Sequence, residues 1–330
     1  MKRIALVIAI ISILLVSVGA QDLKEFQEQF EIFAGAMAPV LSYNATTGDI
    51  WSTAYLGNLP HFGAGLTFGI SMIPSTTLNP FFEAMGAPIP QELQNGLPFP
   101  AIALTAKLGG LILPFDIGVK GMKMFPELAA LLAGKGISAD YTLLGATIRV
   151  PVINAGLKVS IGASYDYLSG NITMPLDGMP TASYTFTDGA ATHTIAVTNP
   201  KMALDFTTSS FDFTAQASIK VLFITPYAGA GISLGTSSVL GGLDAELTYD
   251  GQPISESNLQ TIKDTLAQGG ITLPVISAEG FRFGSEHTEP VIRLYGGVSL
   301  NLLFIYVDAM AIYIPANGNV GANVLARIQF

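Results

Sequence analysis

Along most of this chain apolar and polar residues alternate one by one. From Leu157 to Tyr167 the odd positions read Leu157, Val159, Ile161, Ala163, Tyr165 and Tyr167, and the even ones Lys158, Ser160, Gly162, Ser164 and Asp166. The same pattern runs over His61 to Met72, where Phe62, Leu66, Phe68 and Ile70 oppose glycines, Thr67 and Ser71. It recurs at Phe211 to Val221, at Val291 to Leu302 and in the last residues of the chain. In an extended strand a period of two puts one kind of side chain on each face. These segments predict about ten strands: 61–74, 99–112, 114–125, 140–152, 155–169, 203–222, 225–248, 280–302, 304–314 and 318–330. A further hairpin at 42–57 or 183–198 sets the upper end of a range of eight to twelve.

The connections alternate in length. Those at Leu113-Pro114, Asn154-Ala155, Thr225-Pro226 and Phe304 are tight, whereas 75–98, 126–139, 170–202 and 249–279 are long; only 316–318 breaks the rule. Tight turns on one rim and long loops on the other predict an all-β fold, a transmembrane antiparallel up-and-down β-barrel. In hydrocarbon an unpaired backbone group costs several kcal/mol, so the sheet must close, which predicts pairing of 61–72 with 319–330. A soluble sandwich also alternates, but its exposed face would carry far more charge than this chain does.

Before the first strand the period changes. Leu23, Phe26, Phe30, Phe33 and Met37 recur every three or four residues, with Lys24, Glu25, Gln27, Glu28 and Glu31 opposite them. That is an amphipathic helix, placed in the periplasm, across the periplasmic mouth or as a plug in the lumen. A second helical stretch, Ser255 to Gln268, falls in the longest outer loop. Met1 to Ala20 reads as a secretory signal: Lys2 and Arg3, an apolar run from Ile4 to Val18, and small residues at the cleavage site. The organisation expected is therefore a signal peptide at 1–20, a periplasmic or lumen-plugging helical segment at 21–58 and an outer-membrane barrel at 59–330.

Composition narrows the classes. Of 330 residues half are apolar, 12% are charged and none is cysteine, which excludes disorder and any disulfide or cysteine-ligated metal scaffold. After Ala20 no apolar run reaches the roughly 18 residues of a membrane helix. The 24 acidic residues outnumber the 15 basic ones, so nucleic acid is not an expected partner. No metal or cofactor is implied. The chain reads as a non-enzyme: His193 with Asp188, or His287 with Glu286 and Glu289, are commonplace pairings, and no nucleophile-elbow, zinc-protease or phosphate-loop motif is present. Trp51, the lone tryptophan, carries no reading.

Strand parity assigns the inward charges: Lys107, Asp116, Lys120, Arg149, Lys158, Asp166, Asp212, Lys220, Arg293, Asp308 and Arg327. In a narrow lumen these must pair or line water. An interlock of Lys158, Asp166, Asp212 and Lys220 would close it.

The outer loops are apolar, with Phe81, Phe82, Met85, Phe125, Leu128 and Leu131. Such residues fold over one another or receive an apolar ligand. With a helix that could serve as a hatch, the architecture resembles the long-chain fatty-acid transporter family, although its barrels have more strands. The signal peptide, Pro60-His61-Phe62-Gly63, Leu113-Pro114-Phe115-Asp116 and the terminal Phe330 make the chain similar to outer-membrane barrels of the spirochaete and Bacteroidetes type. The resemblance implies outer-membrane lipid and the barrel-assembly machinery as partners, with Phe330 as assembly signal. A channel or transporter for small or apolar solutes is the function expected. A non-transporting surface barrel or adhesin is the alternative, followed by a secreted β-sandwich or a barrel hydrolase.

Overall fold

The computed structural model describes residues 20–56, 61–84, 93–110, 114–124, 138–175, 182–188, 191–253, 255, 275–277 and 280–330. The expected signal peptide, the second helical stretch after Ser255 and most of the apolar loop residues lie outside these. Among the described residues two helices, α1 (Ala20–Ala45) and α2 (Ser75–Ala84), accompany fourteen strands. The strands are β1 (His61–Ile73), β2 (Leu97–Gly109), β3 (Asp116–Lys123), β4 (Ser138–Asn154), β5 (Leu157–Pro175), β6 (Ala182–Asp188) and β7 (Ala191–Ile219). They continue with β8 (Ile224–Tyr249), β9 (Gln252–Pro253), β10 (Val275–Ser277), β11 (Gly280–His287), β12 (Val291–Leu302), β13 (Ile305–Ile314) and β14 (Asn319–Gln329).

Ten of them close a barrel in the order β1-β2-β3-β4-β5-β7-β8-β12-β13-β14, every neighbour antiparallel. The seam runs from Gly63 opposite Gln329 to Ser71 opposite Gly321. At its end Phe330 N–H donates to the Phe62 carbonyl (2.9 Å) and the His61 ring to that of Phe330 (2.5 Å). Closure leaves no edge in the membrane, which is the condition for a sheet to sit in hydrocarbon.

The outward face is apolar. Phe62, Phe68 and Ile70 of β1, Phe211 and Phe213 of β7, and Val320, Val324 and Ile328 of β14 are exposed. On β7 the outward positions run Ile219, Ala217, Ala215, Phe213, Phe211 and then turn polar at Ser209, Thr207 and Asp205; on β8 the apolar run spans Ile224 to Leu234. Runs of about 9–11 residues are what a tilted strand needs to cross a bilayer.

Tight connections at 110–115, 155–156, 220–223 and 303–304 share one rim with the two ends of the barrel; the long connections share the other. Two of the tight turns hold a residue with left-handed backbone, Leu222 and Leu303, both at φ 57°. Two details differ from the sequence expectation. The strand foreseen at 280–302 is broken at 288–290, where Pro290 offers no N–H, and its pieces β11 and β12 lie along the same edge of β8. Stretch 183–198 does form a hairpin, β6 with the start of β7, whereas the described part of 42–57, residues 42–56, forms the end of α1 and its exit. Because β7 and β8 have 29 and 26 residues, the wall on their side stands well above the apolar belt, and β6 and β11 widen it.

Candidate functional site

The lumen is filled by the chain itself. The later part of α1 and residues 46–56 lie inside the barrel, and Phe30, Phe33, Met37, Leu41, Trp51 and Tyr55 are all at or below 1% exposure. The helix ends at Ala45 because Thr46 bonds back to the Tyr43 carbonyl through its N–H (2.9 Å) and hydroxyl (2.8 Å), and Gly48 takes φ 91°. Lys120 donates to the Ala45 carbonyl (2.5 Å), setting a cation at the negative end of the helix dipole. The wall is cut to fit: a Cβ on Gly63 would stand 2.6 Å from the Trp51 ring, and one on Gly321 would stand 2.7 Å from Tyr43.

The half of the lumen nearer the tight turns is an ionic collar. Its buried cations are Lys107, Lys120, Arg149, Arg293 and Arg327, all from strands; its buried acids are Asp116, Asp166, Asp212 and Asp308 from strands and Asp49 from the inner segment. The set is therefore neutral only with Asp49 counted. Lys120 bridges Asp49 and Asp166 (2.7 Å each). Arg149 holds Asp116 through Nε (2.9 Å) and Nη2 (2.5 Å), Arg293 holds Asp212 (2.6 Å), and Arg327 pairs with Asp308.

The inner backbone is tied into the same network. The Leu56 N–H donates to Asp116 (3.1 Å) and the Ser52 N–H to Asp308 (3.2 Å), Gln216 donates to the Trp51 carbonyl (2.8 Å), and Lys107 donates to the Asp49 carbonyl. The Trp51 ring lies 5.3 Å from the Lys107 ammonium and 4.8 Å from the Arg327 guanidinium, with its own N–H on Thr105 (3.1 Å). A void of about 20 Å³ remains beside Asp49, Lys107, Arg149 and Asp212, room for one water.

The outer half is apolar. Phe99, Leu143, Leu168, Leu204, Phe206, Val239 and Phe283 point inward from the wall and pack on Phe30, Phe33, Met37, Val40 and Leu41 of α1. Leu78 and Phe82 of α2 join this cluster from the loop above.

Of the charges assigned inward by parity, Lys107, Asp116, Lys120, Arg149, Asp166, Asp212, Arg293, Asp308 and Arg327 are buried. Lys220 is not: β7 stops at Ile219, so Lys220 belongs to the turn and is exposed. Lys158 sits at the same rim, half-exposed. The interlock foreseen for Lys158, Asp166, Asp212 and Lys220 is replaced by the pairs above, because Lys220 lies beyond the end of β7 and Lys158, the second residue of β5, stands at the rim. Phe30, Phe33 and Met37 are buried on α1; Leu23 and Phe26 belong to its first turns, whose side chains lie outside the described ones. Phe330 ends the chain in stacked contact with Phe304 (6.0 Å). Tyr227 and Tyr295 are buried inside the barrel, whereas Tyr165 and Tyr313 face out.

Asp49 and Trp51 went unassigned from sequence. The signal for Asp49 was arithmetic: parity gave seven inward bases against four acids. His287 ends β11, and His193 lies in β7 opposite Phe186. Among the described residues no three of His, Asp and Glu cluster as a metal site would.

No protein-family model matches the sequence, and no curated protein does. The fold is similar to solved outer-membrane barrels. The outer membrane protease OmpT of Escherichia coli has 9% identity and TM-score 0.37, over 82% of this chain and 96% of that one. The attachment invasion locus protein Ail of Yersinia pestis, solved with the heparin analogue sucrose octasulfate, has 6% identity and TM-score 0.25, over 82% and 99%. OprB of Pseudomonas putida has 5% identity and TM-score 0.22, over 82% and 94%. These scores carry no functional argument, and none bears on the narrower spirochaete and Bacteroidetes resemblance. They do correct the expectation of a non-enzyme: a protease stands among the similar barrels, so this architecture gives no ground for excluding catalysis.

Proposed function

We propose that the protein is an outer-membrane barrel for the passage of small apolar solutes, held closed by its own residues 30–56. The observation that carries this reading is the character of the outer half of the lumen. A barrel that conducts water and ions is polar inside, whereas here wall residues such as Phe99, Leu168, Phe206 and Phe283 turn an apolar surface inward. That surface is covered by a helix which is continuous in sequence but not covalently joined to the wall around it. Displacing α1 opens a concave apolar chamber of the kind that receives a small molecule. On this reading export begins with cleavage after Ala20, and Phe330 is read by the assembly machinery.

A second reading, a non-transporting surface barrel or adhesin, is favoured by the tall sheet of β6, β7, β8, β11 and β10 that rises beyond the apolar belt.

The chain has no cysteine, and the Ser42 and Ser237 hydroxyls touch at 3.2 Å. In the doubly substituted Ser42→Cys/Ser237→Cys protein, oxidation ties α1 to β8. Uptake of an apolar dye by cells carrying it should fall to the level of cells without the barrel, and return on reduction. Uptake unaffected by the tie removes the transport reading. Planar-bilayer recordings with and without residues 21–40 supply the companion measurement, and silence in both forms favours the surface barrel.

A further inference from the structure

Residues 30–56 run through the barrel in one direction. Leu56 lies at the tight-turn rim, on Asp116. Trp51 stands against Gly63, near the start of β1. Tyr43 reaches Asn323, higher on β14 (2.5 Å). The Ala36 carbonyl accepts from Asn319 (3.5 Å), the first residue of β14, which is already at the long-loop rim.

α1 does not stop there. It continues back to Ala20, and at about 1.5 Å per residue that stretch extends on the order of 20 Å past the rim of β14. Among the described residues the taller part of the wall follows it, through Phe283, 6.4 Å from the Phe30 ring, and Gly241 beneath the same ring. Glu28, Glu31 and Ile32 are exposed at this level.

In a barrel of this kind the tight turns face the periplasm and the long loops face outward. We propose that the N-terminal end of α1 lies on the outer surface of the membrane: the barrel carries that end of the helix across its own lumen and displays it there. The collar fixes that state. Asp49 supplies the fifth buried acid and the inner-segment backbone at Ala45, Asp49, Trp51, Ser52, Ala54 and Leu56 is bonded to wall side chains, so drawing the segment back would leave Lys107 and Lys120 buried with too few acids.

Single cysteines in the full, otherwise cysteine-free chain test this with a membrane-impermeant maleimide on intact cells. Three positions are needed: Glu28→Cys on α1, Gln252→Cys in the exposed connection after β8, and Gly156→Cys in the turn after β4, where a Cβ meets nothing within 4 Å. Glu28→Cys and Gln252→Cys should label on intact cells, several-fold above Gly156→Cys, and all three should label equally once the outer membrane is permeabilised. Glu28→Cys silent while Gln252→Cys labels overturns the proposal, whether it stays silent after permeabilisation or not. Labelling of Gly156→Cys with Gln252→Cys silent overturns it as well, since the barrel would then stand the other way up. None of these outcomes bears on solute passage, which the tied-helix measurement reads separately.

Discussion

The two halves of the lumen hold the same inner segment by opposite means. In the outer half α1 is held by shape, Phe33, Met37 and Leu41 packed among Phe99, Leu168 and Phe206. In the inner half residues 49–56 are held by direction, through ion pairs and hydrogen bonds that each need one geometry. Apolar contact scales with area and tolerates another occupant of similar volume. A buried ion pair tolerates almost nothing, since removing either partner leaves a charge without solvation. The outer half therefore supplies volume that can be exchanged, and the inner half supplies register.

The largest expected effect lies in the collar. Asp212→Ala strands Arg293, which is 0% exposed, and should lower stability by about 3–5 kcal/mol. Unfolding in urea from detergent, or the loss of heat-shifted mobility in gels, measures it. Replacing the pair together, as Asp212→Leu with Arg293→Met, should recover most of the loss. A single-variant cost under about 1 kcal/mol would mean that the inner half is wet and the contrast false.

In the outer half the same measurement should read packing. Leu41→Ala, at 0% exposure, should cost about 2–5 kcal/mol through lost contact and the cavity left behind. The volume-preserving Leu41→Met should cost under about 1.5 kcal/mol. An outer half that punished Leu41→Met as heavily as Leu41→Ala would be as exacting as the collar.

The wall was legible in the sequence because a period of two is a direct consequence of strand geometry, and the tight turns at Asn154-Ala155 and Leu113-Pro114 marked one rim. Parity also found nine of the buried charges. It could not find their partners, since register between strands far apart in sequence, such as Asp212 of β7 with Arg293 of β12, is set by closure of the whole sheet. It failed at Lys220, beyond the end of β7. Asp49 and Trp51 were invisible for a different reason: residues 46–56 are neither strand nor helix, so they carry no period, and their environment is made entirely by other parts of the chain. The glycines at 63 and 321 mark only the small-residue face of their strands; the fold turns them into sockets for Trp51 and Tyr43.

That filling changes what a lumen-side substitution does. Facing an open channel, Ser164→Arg would be mild beside Ala163→Arg on the lipid side. Ser164 is instead buried, bonded to Asp166 (2.7 Å) and Asp49 (3.3 Å). Ala163→Arg should impair insertion by about 2–4 kcal/mol at mid-membrane, and Ser164→Arg should match it, seen as loss of folded barrel in outer-membrane fractions. A well-tolerated Ser164→Arg would place water where the collar stands.

The smallest effect is expected where charge faces out. Arg282 of β11 pairs with Asp244 of β8 (2.6 Å) and with Asp205 of β7, and the three carry side-chain exposures of 25%, 24% and 41%. They sit on the outward face just past the apolar run of β7, where the wall has left the belt, so water rather than lipid solvates them. An ion pair in that setting gains little, because solvent screens it and long side chains lose freedom in forming it. Asp205→Asn should therefore cost at most about 1 kcal/mol in the same urea experiment, and less still in 1 M salt, where the screening length falls to roughly 3 Å. Asp212→Ala should be indifferent to that salt, since ions do not reach the collar. Two aspartates seven residues apart on one strand, one facing each way, thus separate the solvated charge from the enclosed one. Equal salt dependence at both positions would show that solvent ions reach the lumen.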